Sequence, residues 1–217
     1  MKYSTIIFDL DGTLLDTSQG IMRCANYSAK KMGIPELTVD QQKSFIGPPL
    51  FDSFIRECRL SENEARKAVE LYRERYKEKG LYEAKHYTQI KQLLMLLNEQ
   101  KYKTAVATLK RDDLAKEILN HFHLTPFIHS INGIDDQDTY SKSDIIKLCL
   151  QELEHDDLSE VVMIGDSIYD AIGAEQIGID FIAVTYGYGF KNKEEASQIK
   201  NVFIAEYVDD IILFLSL

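Results

Sequence analysis

The chain has 217 residues, enough for one large domain or a core domain with a smaller insert, and its 45% hydrophobic content is ordinary for a protein with a buried core. With 25 basic against 35 acidic residues, the formal net charge is −10. That balance argues against nonspecific nucleic-acid binding, which needs Lys and Arg to displace phosphate counterions, and against an anionic membrane surface.

Residues 3–8 are β-branched and aromatic and end at Asp9, the pattern of a strand covered on both faces. Over residues 16–82 the signals are helical only. Within that block, Phe45-Ile46-Gly47-Pro48-Pro49 makes a stiff, apolar joint between two helices. Ser61 and Glu64 have the spacing of a capping box, and behind them Ala65, Ala68, Val69, Tyr72 and Tyr76 form one apolar stripe. Thr88 is the expected cap of the next helix, where Ile90, Leu93, Leu94 and Leu97 fall at i, i+3, i+4 and i+7. Residues 104–107 read as a second strand, Leu114, Ile118 and Leu119 as a helix face, and 127–131 as a third strand. Ile145, Ile146, Cys149 and Leu150 mark a helix after Ser143. Residues 161–164 and 181–184 are the fourth and fifth strands.

Strands alternating with helices predict an α/β fold with a doubly wound parallel sheet. Residues 1–15 and 83–217 would form this core, and 16–82 an inserted all-helical subdomain. Ligands of such sheets bind at the carboxyl ends of the strands, so the residues found there matter most.

Asp9-Leu10-Asp11-Gly12-Thr13 follows the first strand. Residues i and i+2 of an extended chain point the same way, so both carboxylates face one site. Such a pair can hold a divalent cation through hard oxygens, or divide the roles of nucleophile and proton carrier. Gly165-Asp166-Ser167 follows the fourth strand, with Asp170 one helical turn further on. Asp166 or Ser167 could equally cap that helix, with Asp170 favourable to its dipole. Four acids from two strand ends favour a magnesium site. Thr108 follows the second strand, where a hydroxyl and the amides of a helix start can bind phosphate; a plain helix cap explains the same residue. Lys142 stands just before a helix, where it can neutralise a phosphate, and Lys110 is its nearest rival.

Other chemistries find no support in the sequence. The five histidines make no metal-ligand pattern, His121 and His123 being only two apart, and no glycine-rich phosphate loop occurs. The three cysteines form no C-x-x-C and suit free thiols in a reducing compartment. The first residues carry no signal-peptide pattern, and the apolar run 211–217 is far too short to span a membrane; a cytoplasmic protein is the expectation.

Taken in order, these pieces resemble the haloacid dehalogenase (HAD) superfamily of phosphohydrolases. The first motif is matched by Asp9-Leu10-Asp11-Gly12-Thr13, the second by Thr108, the third by Lys142, and the fourth by Gly165-Asp166 with Asp170. The resemblance covers nearly the whole chain and is strongest to the phosphoglycolate phosphatase group. It implies a Rossmann-like core with an inserted helical cap, and a phosphatase that acts on a small phosphorylated metabolite. It further implies Asp9 as nucleophile, Asp11 as acid and base, and Thr108, Leu109 and Lys142 around the phosphoryl group. Mg²⁺ would be held by Asp9, Asp11 through its carbonyl, and Asp166, with Asp170 and Ser167 in support. Phe45, Ile46 and Gly47 would be the cap loop that governs specificity.

Two departures stand out. The second motif often reads Thr-Ser/Asn-Lys, whereas Leu109 fills the middle place and can offer only its backbone. Ser143 and Asp144 follow Lys142, where the family often has Pro soon after the Lys. Two other activities share these residues: a sugar phosphomutase on the same scaffold, and a receiver-like, phosphorylation-dependent signalling module, which would lack a helical insert of this size.

Overall fold

The computed structural model describes residues 2–135 and 139–217. By internal contacts the chain divides into one unit formed by Met1–Asp16 with His86–Leu217 and a second formed by Thr17–Lys85.

The first unit is built on strand β1 (Thr5–Phe8), all four residues of which are buried. The chain leaves this unit through β2 (Leu15–Asp16). It runs through α1 (Ser18–Lys31), α2 (Val39–Lys43), α3 (Leu50–Cys58) and α4 (Glu62–Glu78), and comes back along β3 (Lys85–His86). Then follow α5 (Ile90–Glu99), β4 (Lys103–Arg111), α6 (Asp112–His121), β5 (Ser130–Ile134), α7 (Lys142–Glu152) and β6 (Val161–Gly165). The chain ends with α8 (Ile168–Ile177), β7 (Asp180–Val184), α9 (Lys193–Ser197), β8 (Phe203–Ala205) and α10 (Val208–Leu215).

Six strands form one sheet in the order β5-β4-β1-β6-β7-β8, every pairing parallel. This is the expected doubly wound α/β sheet. From β1 the chain winds outward to β4 and β5, then crosses back to start β6 on the other side. The loops after β1 and β6 therefore leave neighbouring strands in opposite senses and open a crevice at their carboxyl ends. Phe8 is in register with Val106 of β4 and Ile164 of β6, so Asp9 emerges level with the ends of both neighbours. Helices α7 and α8 cover one face, where Ile7, Ala105, Ala107, Ile145, Ile146, Cys149, Val161 and Met163 share one buried cluster.

Several local expectations shift. The third strand is Ser130–Ile134 instead of 127–131, because Thr125–Phe127 forms a tight helical turn around Pro126, whose ring fixes φ. Thr88 does not cap α5; Gln89, at φ 67°, is the residue that precedes it. Helix α7 starts at Lys142 and is capped by Ser141, whose hydroxyl accepts from Asp144 N at 3.2 Å. The sixth strand, β8, is three residues long and only partly buried, too short to show in the hydrophobic pattern.

In the helical unit α4 packs against α1 and α3. The Ser61 capping box is present, with Ser61 N donating to Glu64 Oε2 at 2.9 Å. Arg75 ties this unit together through Glu83, at 2.9 Å. Among the described residues, no helix is long and apolar enough to cross a membrane.

Candidate active site

Asp9 is the first residue past β1, and its amide still continues the sheet by donating to Ile164 O at 2.9 Å. The backbone turns away at Gly12, which has φ 89°, a left-handed conformation that other residues adopt at a cost. An ideal Cβ on Gly12 would lie 2.2 Å from Asp166 Oδ2, so the first loop passes against the fourth-motif acid with no room for a side chain.

Lys142 is the hub of the site. As the first residue of α7, it runs along the helix toward the strand ends. Gly173 of α8 makes the room, since a Cβ there would fall 2.6 Å from Lys142 Cγ. The ammonium donates to Asp9 Oδ1 at 2.6 Å and to Ala107 O at 2.9 Å, and lies 2.7 Å from Asp170 Oδ1. Asp170 divides its two oxygens: Oδ1 faces Lys142, while Oδ2 accepts from Ser167 N at 3.0 Å and Ser167 Oγ at 2.6 Å. The helix-cap role and the site role are thus carried by one side chain. Asp166 Oδ2 accepts two backbone amides, from Tyr188 at 2.6 Å and Gly189 at 3.0 Å.

Asp9, Asp166 and Asp170 are all buried and each places a carboxylate oxygen within 4.8 Å of the others. Burial pushes the Asp9 carboxyl well above the ordinary carboxylate range; Lys142 pulls it down, while Asp170 and Asp166 push with the burial. Asp166 is raised to about 6, first by burial and then by the charge of Asp170. Burial alone would lower Lys142, but Asp170 and Asp9 outweigh it and hold its ammonium above the usual lysine range. Three carboxylates against one ammonium leave an excess of negative charge. The donors are all oxygen and gathered at one point, which fits a hard divalent cation.

Asp11 stands slightly apart. Its carboxylate is partly exposed and pairs with Lys110 at 2.9 Å. The two candidate lysines therefore serve different acids, Lys142 on Asp9 and Lys110 on Asp11. Thr108 is buried but is not at a helix start: β4 runs on to Arg111 with a register shift past Ala107, and α6 begins only at Asp112. Its hydroxyl accepts from Lys110 N at 3.1 Å and so braces the shifted backbone. Leu109 is 39% exposed at this strand end. In the helical unit, Phe45 is buried edge-on against Phe54 with centroids 4.8 Å apart, so its ring serves that unit's core, whereas Ile46 is half-buried and Gly47 exposed. The amides of the loop after β7 were not foreseen from the sequence; the only signal is the Gly187-Tyr188-Gly189 triplet just past a strand.

Residues 6–184 match the family model of the haloacid dehalogenase-like hydrolases. The chain belongs to this family. A 5'-nucleotidase of Pseudomonas aeruginosa is 34% identical over 198 residues, covering 91% of this chain and 90% of its own. A protein of Mycobacterium tuberculosis named tyrosine-protein kinase PtkA is 32% identical over 208 residues, covering 95% of this chain and 70% of its own. A solved structure of a Clostridium difficile protein described as a phosphatase superimposes with a TM-score of 0.93 at 37% identity, over 99% of each chain.

Proposed function

We propose that this HAD-like hydrolase is a Mg²⁺-dependent phosphatase of small phosphate monoesters that works through an aspartyl-phosphate on Asp9. The observation that carries this is the buried contact of Lys142 with both Asp9 and Asp170 beside Asp166, at the carboxyl ends of β1 and β6. An aspartate held by an ammonium in a water-poor crevice is oriented for in-line attack, and charge neutralisation is most of what phosphoryl transfer requires.

In the first step an Asp9 carboxylate oxygen forms a bond to phosphorus as the ester P–O bond breaks, and Asp11 gives its proton to the departing alkoxide. In the second, Asp11 takes a proton from water, whose oxygen displaces Asp9 and releases inorganic phosphate. Lys142 orients Asp9 and faces the phosphoryl oxygens, with Thr108 and the Leu109 amide beside them. Asp9, Asp166 and the Asp11 carbonyl would hold Mg²⁺, which when bound neutralises phosphoryl charge. Asp170, with both oxygens committed to Lys142 and Ser167, supports from behind.

The test is phosphate release from a panel of phosphoglycolate, sugar phosphates, nucleotides and pyrophosphate, with Mg²⁺ or with excess chelator. Release that needs the metal and vanishes in Asp9→Asn supports the proposal. Equal release in chelator, or a fully active Asp9→Asn, refutes it. Since one relative is named a tyrosine-protein kinase, the panel includes ATP with a tyrosine peptide, and phosphotyrosine without free phosphate would point to transfer instead of hydrolysis.

A further inference from the structure

The loop after β7, Thr185-Tyr186-Gly187-Tyr188-Gly189-Phe190, carries no acid or base of the mechanism, yet it surrounds Asp166. Tyr188 N and Gly189 N donate to Asp166 Oδ2 at 2.6 and 3.0 Å, and Phe190 N donates to Asp166 O at 2.8 Å. Both glycines are needed for this approach. A Cβ on Gly187 would lie 2.3 Å from Gly12 O and 2.4 Å from Asp166 Oδ2, and one on Gly189 would lie 2.4 Å from Asp166 O. The side chain between them is anchored elsewhere: the Tyr188 hydroxyl donates to Asp16 Oδ1 at 2.8 Å. Tyr186 makes a second tie, its hydroxyl donating to Thr13 O at 3.2 Å and its ring lying 4.8 Å from that of Tyr87.

We propose that Tyr188 is a positioning residue for the metal site: its hydroxyl bond to Asp16 fixes the two amides that hold Asp166 Oδ2, so that Asp166 presents its other oxygen to the cation in one orientation. The acid that binds the metal is thereby tied to the chain segment that follows the nucleophile. Without the hydroxyl bond the loop loses its tie to the segment after the nucleophile, the amides loosen, and the carboxylate regains rotational freedom that binding must remove. Partners that orient metal ligands in this way are typically worth about 10–100-fold in metal affinity.

This inference rests on the metal reading of the acids, and its test separates the two. Mg²⁺ binding to the metal-free protein is measured by calorimetry, with no substrate present. Tyr188→Phe, which removes one oxygen atom, should weaken binding about tenfold. Asp16→Ala should also weaken binding, and the double variant should be no weaker than Tyr188→Phe alone, because that substitution already removes the bond to Asp16. Asp16→Asn keeps an acceptor oxygen and should stay close to the parent protein. The thermal midpoint of metal-free Tyr188→Phe should fall only by the few degrees that one lost hydrogen bond implies. Parent-like affinity in Tyr188→Phe, or additive losses in the double variant, overturns the proposal. Failure of the parent protein itself to bind Mg²⁺ would overturn the metal reading of the acids, and this inference with it.

Discussion

Replacing Lys142 by Met is the perturbation that most directly probes the site. The ammonium lies 2.6 Å from Asp9 and 2.7 Å from Asp170, and all three side chains are buried. Methionine is also unbranched, and the passage beside Gly173 already fits such a chain, so the packing cost is small. What is lost is the only cation on two buried carboxylates among the contacts described. Removing one member of a buried ion pair typically costs about 3–5 kcal/mol. For a chain of this size that is a fall in thermal midpoint of roughly 6–20 °C. The loss should depend on pH. Without Lys142 the buried Asp9 keeps its place only by taking up a proton, so its folded-state value, already raised by burial, rises further above the unfolded range near 4. A raised acid stabilises the folded protein below its unfolded value, and this stability is lost as pH rises through the folded one. The deficit should therefore be small at pH 5 and large at pH 8. Thermal melts followed by circular dichroism in chelator measure it. A midpoint within about 2 °C of the parent at pH 8, or the same deficit at both pH values, would refute the reasoning, since either means that the acids do not depend on this ammonium.

Four further outcomes are expected. In the metal-free parent protein Asp166, raised to about 6 by burial, should make stability fall as pH rises from about 4 to 6, by about 3 kcal/mol, and saturating Mg²⁺ should restore it; melts with and without metal decide this. Asp9→Asn should lose all turnover while remaining at least as stable as the parent at pH 8, because it removes one charge from an overcrowded anionic cluster; a large drop in midpoint would contradict this. Asp11→Asn should slow alkyl phosphates by about 10²–10⁴-fold but nitrophenyl phosphate much less in its first step, giving a burst of nitrophenol followed by slow turnover; equal slowing with no burst would mean damage to the metal site instead. Phe45→Ala should cost about 3–5 kcal/mol through loss of its contact with Phe54, whereas Ile46→Ala should leave stability nearly intact and change kcat/KM unequally across substrates, which a uniform change would disprove.

The sequence by itself determined most of the sheet, with β5 displaced and β8 unseen, and the identity of the acids. Apolar runs of four to six residues between helical patterns suit central parallel strands, and Asp9 follows one directly and Asp166 another after Gly165, because the carboxyl end of the sheet is where the chain first meets the crevice. That is why Asp9 and Asp166 were legible, and why Asp170, one turn into α8, could be joined to them. Tertiary structure alone decided how the charges are shared. Lys142 and Asp9 are separated by 133 positions, and nothing local distinguishes Lys142 from a solvated lysine; burial beside Gly173 does. The partner of Asp11 was hidden for the same reason, since Lys110 reaches it only after the register shift in β4. The loop that holds Asp166 was the least legible of all, because it acts through backbone amides, which every residue carries, and they gain meaning only when two glycines let the chain approach a carboxylate that lies twenty-two positions earlier.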